Sequence, residues 1–173
     1  MVNDIYLALG SNIGNRLKYI KDAINLIKSD PKISFMALSN IYLTKAYGVK
    51  DQNDFYNCVC KISTEYSPFE LLKFCKKSEK QIGRIKSKKW GPRQIDIDIL
   101  FYNDVVLNSD ILTIPHREFE KRDFFICPML DITEDFIHPL FREPIKLIYD
   151  RLKEKFVVKR FNINTNEELN CLN

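Results

Sequence analysis

The stretch Ile95-Asp96-Ile97-Asp98-Ile99 carries two carboxylates, two residues apart, inside an apolar run. Side chains of a strand alternate between faces, so the three isoleucines share one face. Asp96 and Asp98 share the other, with Cα atoms ~6.6 Å apart. Like charges that close raise each other's pKa unless a cation neutralises them. A carboxylate pair on a stiff strand suits Mg²⁺, which keeps phosphate oxygens and water in its remaining positions. Taken alone, Asp-x-Asp equally describes a solvated strand face that binds nothing.

Upstream, Arg84, Lys86, Lys88, Lys89 and Arg93 place five cations in one loop. Metal carboxylates beside a cationic loop are the two halves of a polyphosphate site. The plainer alternative is a solvated charge run. Trp90, the one tryptophan, sits in this loop. Its large apolar face either closes over an aromatic ligand or anchors the loop in local core. Further on come Pro115-His116, then Arg117, Lys121, Arg122 and Phe124-Phe125. His116 has the chemistry to donate to a phosphate oxygen, and also to be an ordinary structural histidine. Phe55 and Asn57 are two apart in a strand-like run and face the same way. An aromatic face beside an amide can stack on a flat heterocycle and read its edge. Lys76 and Glu79 have the spacing of a helical surface pair.

The elements that must hold these residues follow from periodicity. Residues 5–9 are an apolar run ending at Gly10, a buried strand and a turn. Leu17, Ile20, Ile24 and Ile27 form the stripe of an amphipathic helix. Residues 35–43 and 55–64 read as two more strands, with a polar loop at 45–53 between them. Ser67-Pro68-Phe69-Glu70 combines a capping serine, a proline at the first helical position and a glutamate three after the cap. It opens a helix that stops at Gly83. Residues 95–102 form the carboxylate strand, and Asn103-Asp104 turn it towards Val105-Val106-Leu107. Short helical pieces follow near Phe119, at 127–132 and at 144–151, then a last strand at 157–161. The order strand, helix, strand, strand, helix, strand predicts an α+β, ferredoxin-like βαββαβ sandwich with extra C-terminal elements. That scaffold hosts many activities, so function must come from the site.

Composition narrows the classes. The chain has 173 residues, 45% hydrophobic and 29% charged. It reads as one domain spanning 1–173, with no linker or repeat. Its formal net charge of +4 permits an anionic ligand without requiring nucleic acid. No run approaches the roughly 20 apolar residues of a membrane span. Met1-Val2-Asn3-Asp4 lacks the basic and apolar regions of a signal peptide. Cys58, Cys60, Cys75, Cys127 and Cys171 are odd in number and form no C-x-x-C, as expected of reduced thiols in a cytoplasmic protein. With only His116 and His138 present, a structural zinc site is not expected.

Leu7-Ala8-Leu9-Gly10-Ser11-Asn12, Asp51-Gln52-Asn53-Asp54-Phe55-Tyr56-Asn57, Trp90-Gly91-Pro92-Arg93-Gln94-Ile95-Asp96-Ile97-Asp98-Ile99 and Leu112-Thr113-Ile114-Pro115-His116, with Arg122 and Phe124, resemble the 6-hydroxymethyl-7,8-dihydropterin pyrophosphokinase family. The match runs from Ile5 to about Pro139. The resemblance implies transfer of the β,γ-diphosphoryl group of ATP to the pterin hydroxymethyl oxygen, with AMP released, in folate biosynthesis. It implies two Mg²⁺ ions on Asp96 and Asp98, and Arg84, Arg93 and His116 as catalytic residues. Lys76, Glu79, Lys86, Trp90, Leu112, Thr113, His116 and Arg122 would line the ATP site. Thr44, Phe55, Asn57, Trp90 and Phe124 would line the pterin site. Loops 45–53 and 83–93 would be lids. The expected partners are these two small molecules, with no nucleic acid and no membrane, and the expected state is a monomer.

Three positions depart from the family pattern. Lys45 stands where proline is frequent, Phe55 where tyrosine is frequent, and Lys86 where a second arginine is usual. Lysine offers a point charge in place of a bidentate fork. Gly10-Ser11-Asn12-Ile13-Gly14 lacks the G-K-[ST] ending of a phosphate loop and reads as a turn near the acceptor. Two alternatives remain at this stage. One is a ferredoxin-like RNA-binding module using the basic loop, Trp90 and Phe55. The other is a catalytically inactive scaffold of the same fold.

Overall fold

The computed structural model describes residues 3–49, 51–85 and 91–162. Strand β1 (Ile5–Ser11) is buried at every position because it pairs on both edges and is covered on both faces. Ile5, Leu7 and Leu9 enter one core; Tyr6 and Ala8 enter a second. Helix α1 (Arg16–Ser29) buries the expected stripe of Leu17, Ile20, Ile24 and Ile27, joined by Ala23.

The run expected as one strand at 35–43 is two, β2 (Ile33–Leu38) and β3 (Ile41–Thr44). Ser39 explains the break. Its backbone N–H donates to the Val59 carbonyl at 2.9 Å, and its hydroxyl accepts the Val59 N–H at 2.9 Å. The side chain thus substitutes for a ladder carbonyl and lets the chain step. The third run, β4 (Phe55–Thr64), pairs with β1, β2 and β3. Helix α2 (Pro68–Ile82) carries the full Ser67–Glu70 capping box and ends on Gly83 at φ 106°, a left-handed conformation that glycine adopts without a Cβ clash. Such a cap contributes about 1 kcal/mol.

Strand β5 (Asp96–Tyr102) follows. Asn103 does reverse the chain, at φ 47°, but the returning residues do not pair with β5. Instead β6 (Leu107–Asn108) pairs with β7 (Thr113–Ile114) as a separate two-stranded ribbon. The last elements among the described residues are α3 (Asp123–Ile132), α4 (Ile145–Asp150) and β8 (Val157–Phe161).

The main sheet runs β5-β1-β4-β3-β8, with β2 also on β4, and every pairing is antiparallel. The first core lies between one face of the sheet and α1 with α2. The second is filled by Phe119, Phe124, Phe125, Ile126, Met129, Ile145 and Ile148 against Tyr6, Ala8, Val59, Leu100 and Phe101. The C-terminal elements therefore cover one end of the second face and leave its other end to the polar residues. No described helix is long and apolar enough to cross a membrane.

Candidate active site

Strand register assembles the site. Gly10 is opposite Asn57 on one side and Asp96 on the other. Ala8, two residues back on the same face, is opposite Val59 and Asp98. The expected alternation holds, with Ile95, Ile97 and Ile99 in the helix-side core and both aspartates on the opposite face. Small residues on the central strand thus make a floor flanked by an amide and two carboxylates. A Cβ on Gly10 would stand 2.7 Å from Asn57 Oδ1, so only glycine allows that amide to lie there.

Two cavities open on this floor. The first is lined by Ala8, Gly10, Thr44, Lys45, Tyr47, Phe55, Asn57, Arg93, Asp96, Asp98, Arg122, Phe124 and Phe125, with Leu9 at its edge. Asn57 Nδ2 donates to Thr44 Oγ1 at 2.7 Å, and this leaves its carbonyl oxygen directed at the floor. Arg93 lies 5.7 Å from the Phe55 ring centre, and Arg122 lies 4.8, 5.7 and 5.1 Å from the rings of Tyr47, Phe124 and Phe125. The second cavity is lined by Leu72, Lys76, Ile97, Asp98, Ile99, Ile111, Leu112, Thr113, His116, Arg117, Glu118 and Arg122. Asp98 and Arg122 belong to both.

Asp96 is held by two arginines. Arg84 NH1 lies 2.5 Å from its Oδ1, and Arg93 NH1 lies 2.6 Å from its Oδ2. Burial alone would raise this carboxyl, but Arg93, Arg84 and Lys76 outweigh burial and hold it below the usual range. Asp98 behaves oppositely. Burial and the neighbouring Asp96 charge push it up, only partly offset by His116, Lys76 and Arg122. No hydrogen bond or ion pair to its carboxylate occurs among the described residues. Two like charges side by side, one well compensated and the other only in part, make a position that a cation would stabilise.

Glu79 is not the surface partner that its spacing with Lys76 suggested. It is buried, accepts from Lys76 Nζ at 2.8 Å and from Arg84 NH1 at 2.7 Å, and takes the Ile97 N–H at 2.8 Å. That last bond satisfies the open edge of β5 and ties α2 to the carboxylate strand. Burial raises the Glu79 pKa despite Lys76.

His116 is placed by a bulge. Tyr6 pairs with Phe101 and Leu7 with Ile99, so Leu100 is the extra residue. Its carbonyl accepts the His116 N–H at 2.9 Å. His116 Nδ1 accepts the Glu118 N–H at 3.2 Å, which assigns the ring proton to Nε2. Burial lowers the imidazole pKa despite the pull of Asp98, so the ring is a neutral donor at pH 7. Burial also lowers Arg122, and the buried Nε of both Arg93 and Arg122 has no partner. These are unsatisfied donors on two residues that line the cavities.

Asn12 joins the two loops expected as lids. Its Nδ2 donates to Gln52 Oε1 at 3.0 Å and to the Asn53 carbonyl at 3.1 Å, while its Oδ1 accepts the Arg93 N–H at 2.8 Å. Gly10 and Ser11, expected in a turn, instead belong to β1; the bend comes after them, at residues 13–15, and Gly10 lines the first cavity.

Of the residues singled out from sequence, Thr44, Phe55, Asn57, Arg93, Asp96, Asp98, Arg122 and Phe124 line the first cavity, and Lys76, Leu112, Thr113 and His116 line the second. Arg84 and Glu79 line neither; Arg84 bonds to Asp96 and Glu79 to the Ile97 N–H of β5. Lys86 and Trp90 lie outside the described residues. Sequence reasoning missed Tyr47, whose hydroxyl lies 3.0 Å from Glu118 Oε2, and Leu72, Ile111 and Phe125. Only the aromatic type of Tyr47, within a polar loop, signalled its role. No cluster of three His, Cys, Asp or Glu side chains that could cage a metal occurs among the described residues.

Residues 6–134 match the family model described as 7,8-dihydro-6-hydroxymethylpterin-pyrophosphokinase (HPPK). The chain is similar to the 2-amino-4-hydroxy-6-hydroxymethyldihydropteridine pyrophosphokinase of Aquifex aeolicus, 46% identical over 142 residues, or 82% of this chain and 88% of that one. The protein of that name from Bacillus subtilis is 37% identical over 134 residues, 78% and 80% of the two chains. The folic acid synthesis protein fol1 of Schizosaccharomyces pombe is 40% identical over 147 residues, 85% of this chain but 20% of that longer protein. The crystal structure of Plasmodium falciparum HPPK-DHPS shares the fold, with a TM-score of 0.68 at 16% identity, over 87% of this chain and 45% of that one.

Proposed function

The chain belongs to the 7,8-dihydro-6-hydroxymethylpterin-pyrophosphokinase family, pyrophosphokinases of folate synthesis, and on that premise we propose how its residues divide the reaction. The first cavity takes the dihydropterin, stacked between Phe55 and Phe124, with Asn57 and Thr44 at its polar edge. The second takes ATP, its base and ribose near Leu72, Ile111, Leu112 and Thr113 and its phosphates towards Lys76, His116 and Arg122. The observation that carries this reading is that Asp98 and Arg122 line both cavities. A group passing from donor to acceptor must cross between those two side chains.

The carboxylates fit Mg²⁺. Hard oxygens, two in number, on a strand, with Asp98 only partly compensated, match an ion that takes one or two protein carboxylates and fills its sphere with phosphate and water. The absence of a third protein ligand among the described residues points the same way. Bound there, Mg²⁺ supplies Lewis-acid compensation of phosphate charge. The protein does the rest by placement. The pterin hydroxymethyl oxygen bonds to the β-phosphorus, the bond from that phosphorus to the α,β-bridging oxygen breaks, AMP departs, and the hydroxyl proton is lost to solvent or phosphate. His116 Nε2–H and the arginine donors hold the oxygens in line. Arg84 and Arg93, now on Asp96, can exchange that carboxylate for phosphate. Loops 45–53 and 83–93, with Lys86 and Trp90 in the second, exclude water.

The antiparallel order β5-β1-β4, with β2 and β3 beyond and α1 and α2 on one face, supports a ferredoxin-like βαββαβ core extended at its C-terminus. The unpaired thiols of Cys58, Cys60, Cys75 and Cys127 support a reducing, cytoplasmic setting, and we take the protein to act as a monomer on small molecules. The RNA-binding alternative is not favoured, because Asp98, only partly compensated, would repel a phosphate backbone. Purified protein given ATP, Mg²⁺ and the hydroxymethyl dihydropterin is expected to yield AMP. Formation of ADP, or equal turnover in excess chelator, would refute the assignment.

A further inference from the structure

Residues 156–161 lie beyond the family match, which ends at residue 134, yet they touch the acceptor cavity from behind. Strand β8 pairs with β3 so that Val157 is opposite Thr44. The Lys45 N–H donates to the Phe156 carbonyl at 2.8 Å. The Phe156 ring centre lies 5.3 Å from that of Tyr47 and 5.9 Å from that of Phe124, both edge-to-face, the favourable geometry for aromatic pairs. Thr44, Lys45, Tyr47 and Phe124 all line the acceptor cavity, whereas Phe156 does not. Two consecutive residues therefore contact four wall residues that come from two separate parts of the chain, 44–47 and Phe124.

The segment is itself pinned. Buried Asp123 accepts the backbone N–H groups of Phe156 and Val157 on one carboxylate oxygen, at 2.8 and 2.9 Å. Asp123 is the neighbour of Phe124 and opens α3. The same helix turn thus presents one wall of the cavity and grips the segment behind it. The base of the first lid is held from that side too, since the Lys45 bond extends the β3–β8 ladder by one residue to where the lid begins.

We infer that Phe156 and β8 form a strap that sets the acceptor cavity, with Phe156 a positioning residue for the pterin: it fixes the ring of Phe124 and the lid residue Tyr47 without touching the substrate. This rests on the pterin occupying the first cavity. Phe156 reaches Glu118 and Arg122 of the nucleotide cavity only through Tyr47 and Phe124, which themselves line the acceptor cavity, so its loss should act on the pterin more than on ATP. That difference separates a positioning role from a merely structural one, because general loosening of the fold would weaken both.

The test is steady-state kinetics on the full chain, varying each substrate in turn, for wild type, Phe156→Ala, Phe156→Leu and Lys45→Pro, which removes the N–H donor. Phe156→Ala is expected to raise KM for the pterin about tenfold and KM for ATP less than about twofold. Phe156→Leu, which keeps apolar bulk and guards against a misfolded alanine variant, should raise pterin KM about threefold. Lys45→Pro should shift the same constant in the same direction. Equal rises in both KM values, or a lowered melting temperature with unchanged pterin KM, would overturn the strap and leave the activity standing. Absence of AMP from wild type itself would overturn both.

Discussion

On the Asn57 side of the first cavity, where we place the pterin, the polar groups already hold one another. Asn57 is bonded to Thr44, its approach is secured by Gly10, and the aromatic walls pack against Phe156. Along the wall that the two cavities share, the charged groups are left wanting. Asp98 is only partly compensated by His116, Lys76 and Arg122, and the Nε of Arg122 is without an acceptor. On the proposed reading, the first region is organised before its ligand arrives and would select by shape and edge contacts. The second is organised around charge that the ligand and its metal must complete. The arrangement suits a transfer enzyme: a rigid acceptor site keeps the nucleophile in place, while incomplete charge on the other side favours the state in which phosphate charge is greatest.

Three perturbations would break or sharpen this contrast. The largest effect is expected at the shared wall. Asp98→Asn preserves shape and removes the charge, and kcat should fall on the order of 10³-fold, with pterin affinity by calorimetry changing far less. Retention of most turnover would abolish the distinction drawn for the nucleotide side. An intermediate effect is expected from Gly10→Ala. Its methyl would meet Asn57 Oδ1 and displace the reading amide, so pterin KM should rise by about one order of magnitude, with little change in KM for ATP. An unaltered pterin KM would mean that the strand register does not set recognition.

The smallest effect on turnover is expected at His138, which lies in neither cavity. It stacks on Phe141 at 4.3 Å and accepts the Leu140 and Phe141 N–H groups through Nδ1. Burial pushes its imidazole down to about 4, against the opposing pull of Glu143. The unfolded chain takes up that proton near pH 6.5, so between pH 6.5 and 4 the unfolded state binds more protons. Stability is then lost as pH falls, by up to ~3 kcal/mol at the low end. His138→Asn should flatten this acid limb in denaturant titrations and leave kcat at neutral pH unchanged. An identical acid limb in the variant would remove His138 as its cause.

The two regions were unequally legible in the sequence. Asp96 and Asp98 could be placed on one face because strand side chains alternate, and the isoleucines between them marked which face was core. The α2 cap was readable because Ser67, Pro68 and Glu70 act within one turn. Phe55 and Asn57 were readable as a pair for the same local reason. Glu79 was not: three residues from a lysine it looks like surface, and only the docking of α2 on β5 buries it against the Ile97 N–H. The strand break at Ser39 depends on Val59, twenty residues away. The contacts of Tyr47, Asn12 and Phe156 could not be read locally, since their partners come from remote segments.

What the sequence by itself determined is the set of chemical groups and the face each would take, because helix and strand periodicities are properties of the local backbone. What only the tertiary structure decided is which groups meet: Gly10 between Asn57 and Asp96, the Leu100 bulge that brings His116 to Asp98, and β8 closing on β3. These depend on register between distant strands. Register is selected by the packing of both cores at once, and no short stretch of chain contains that information.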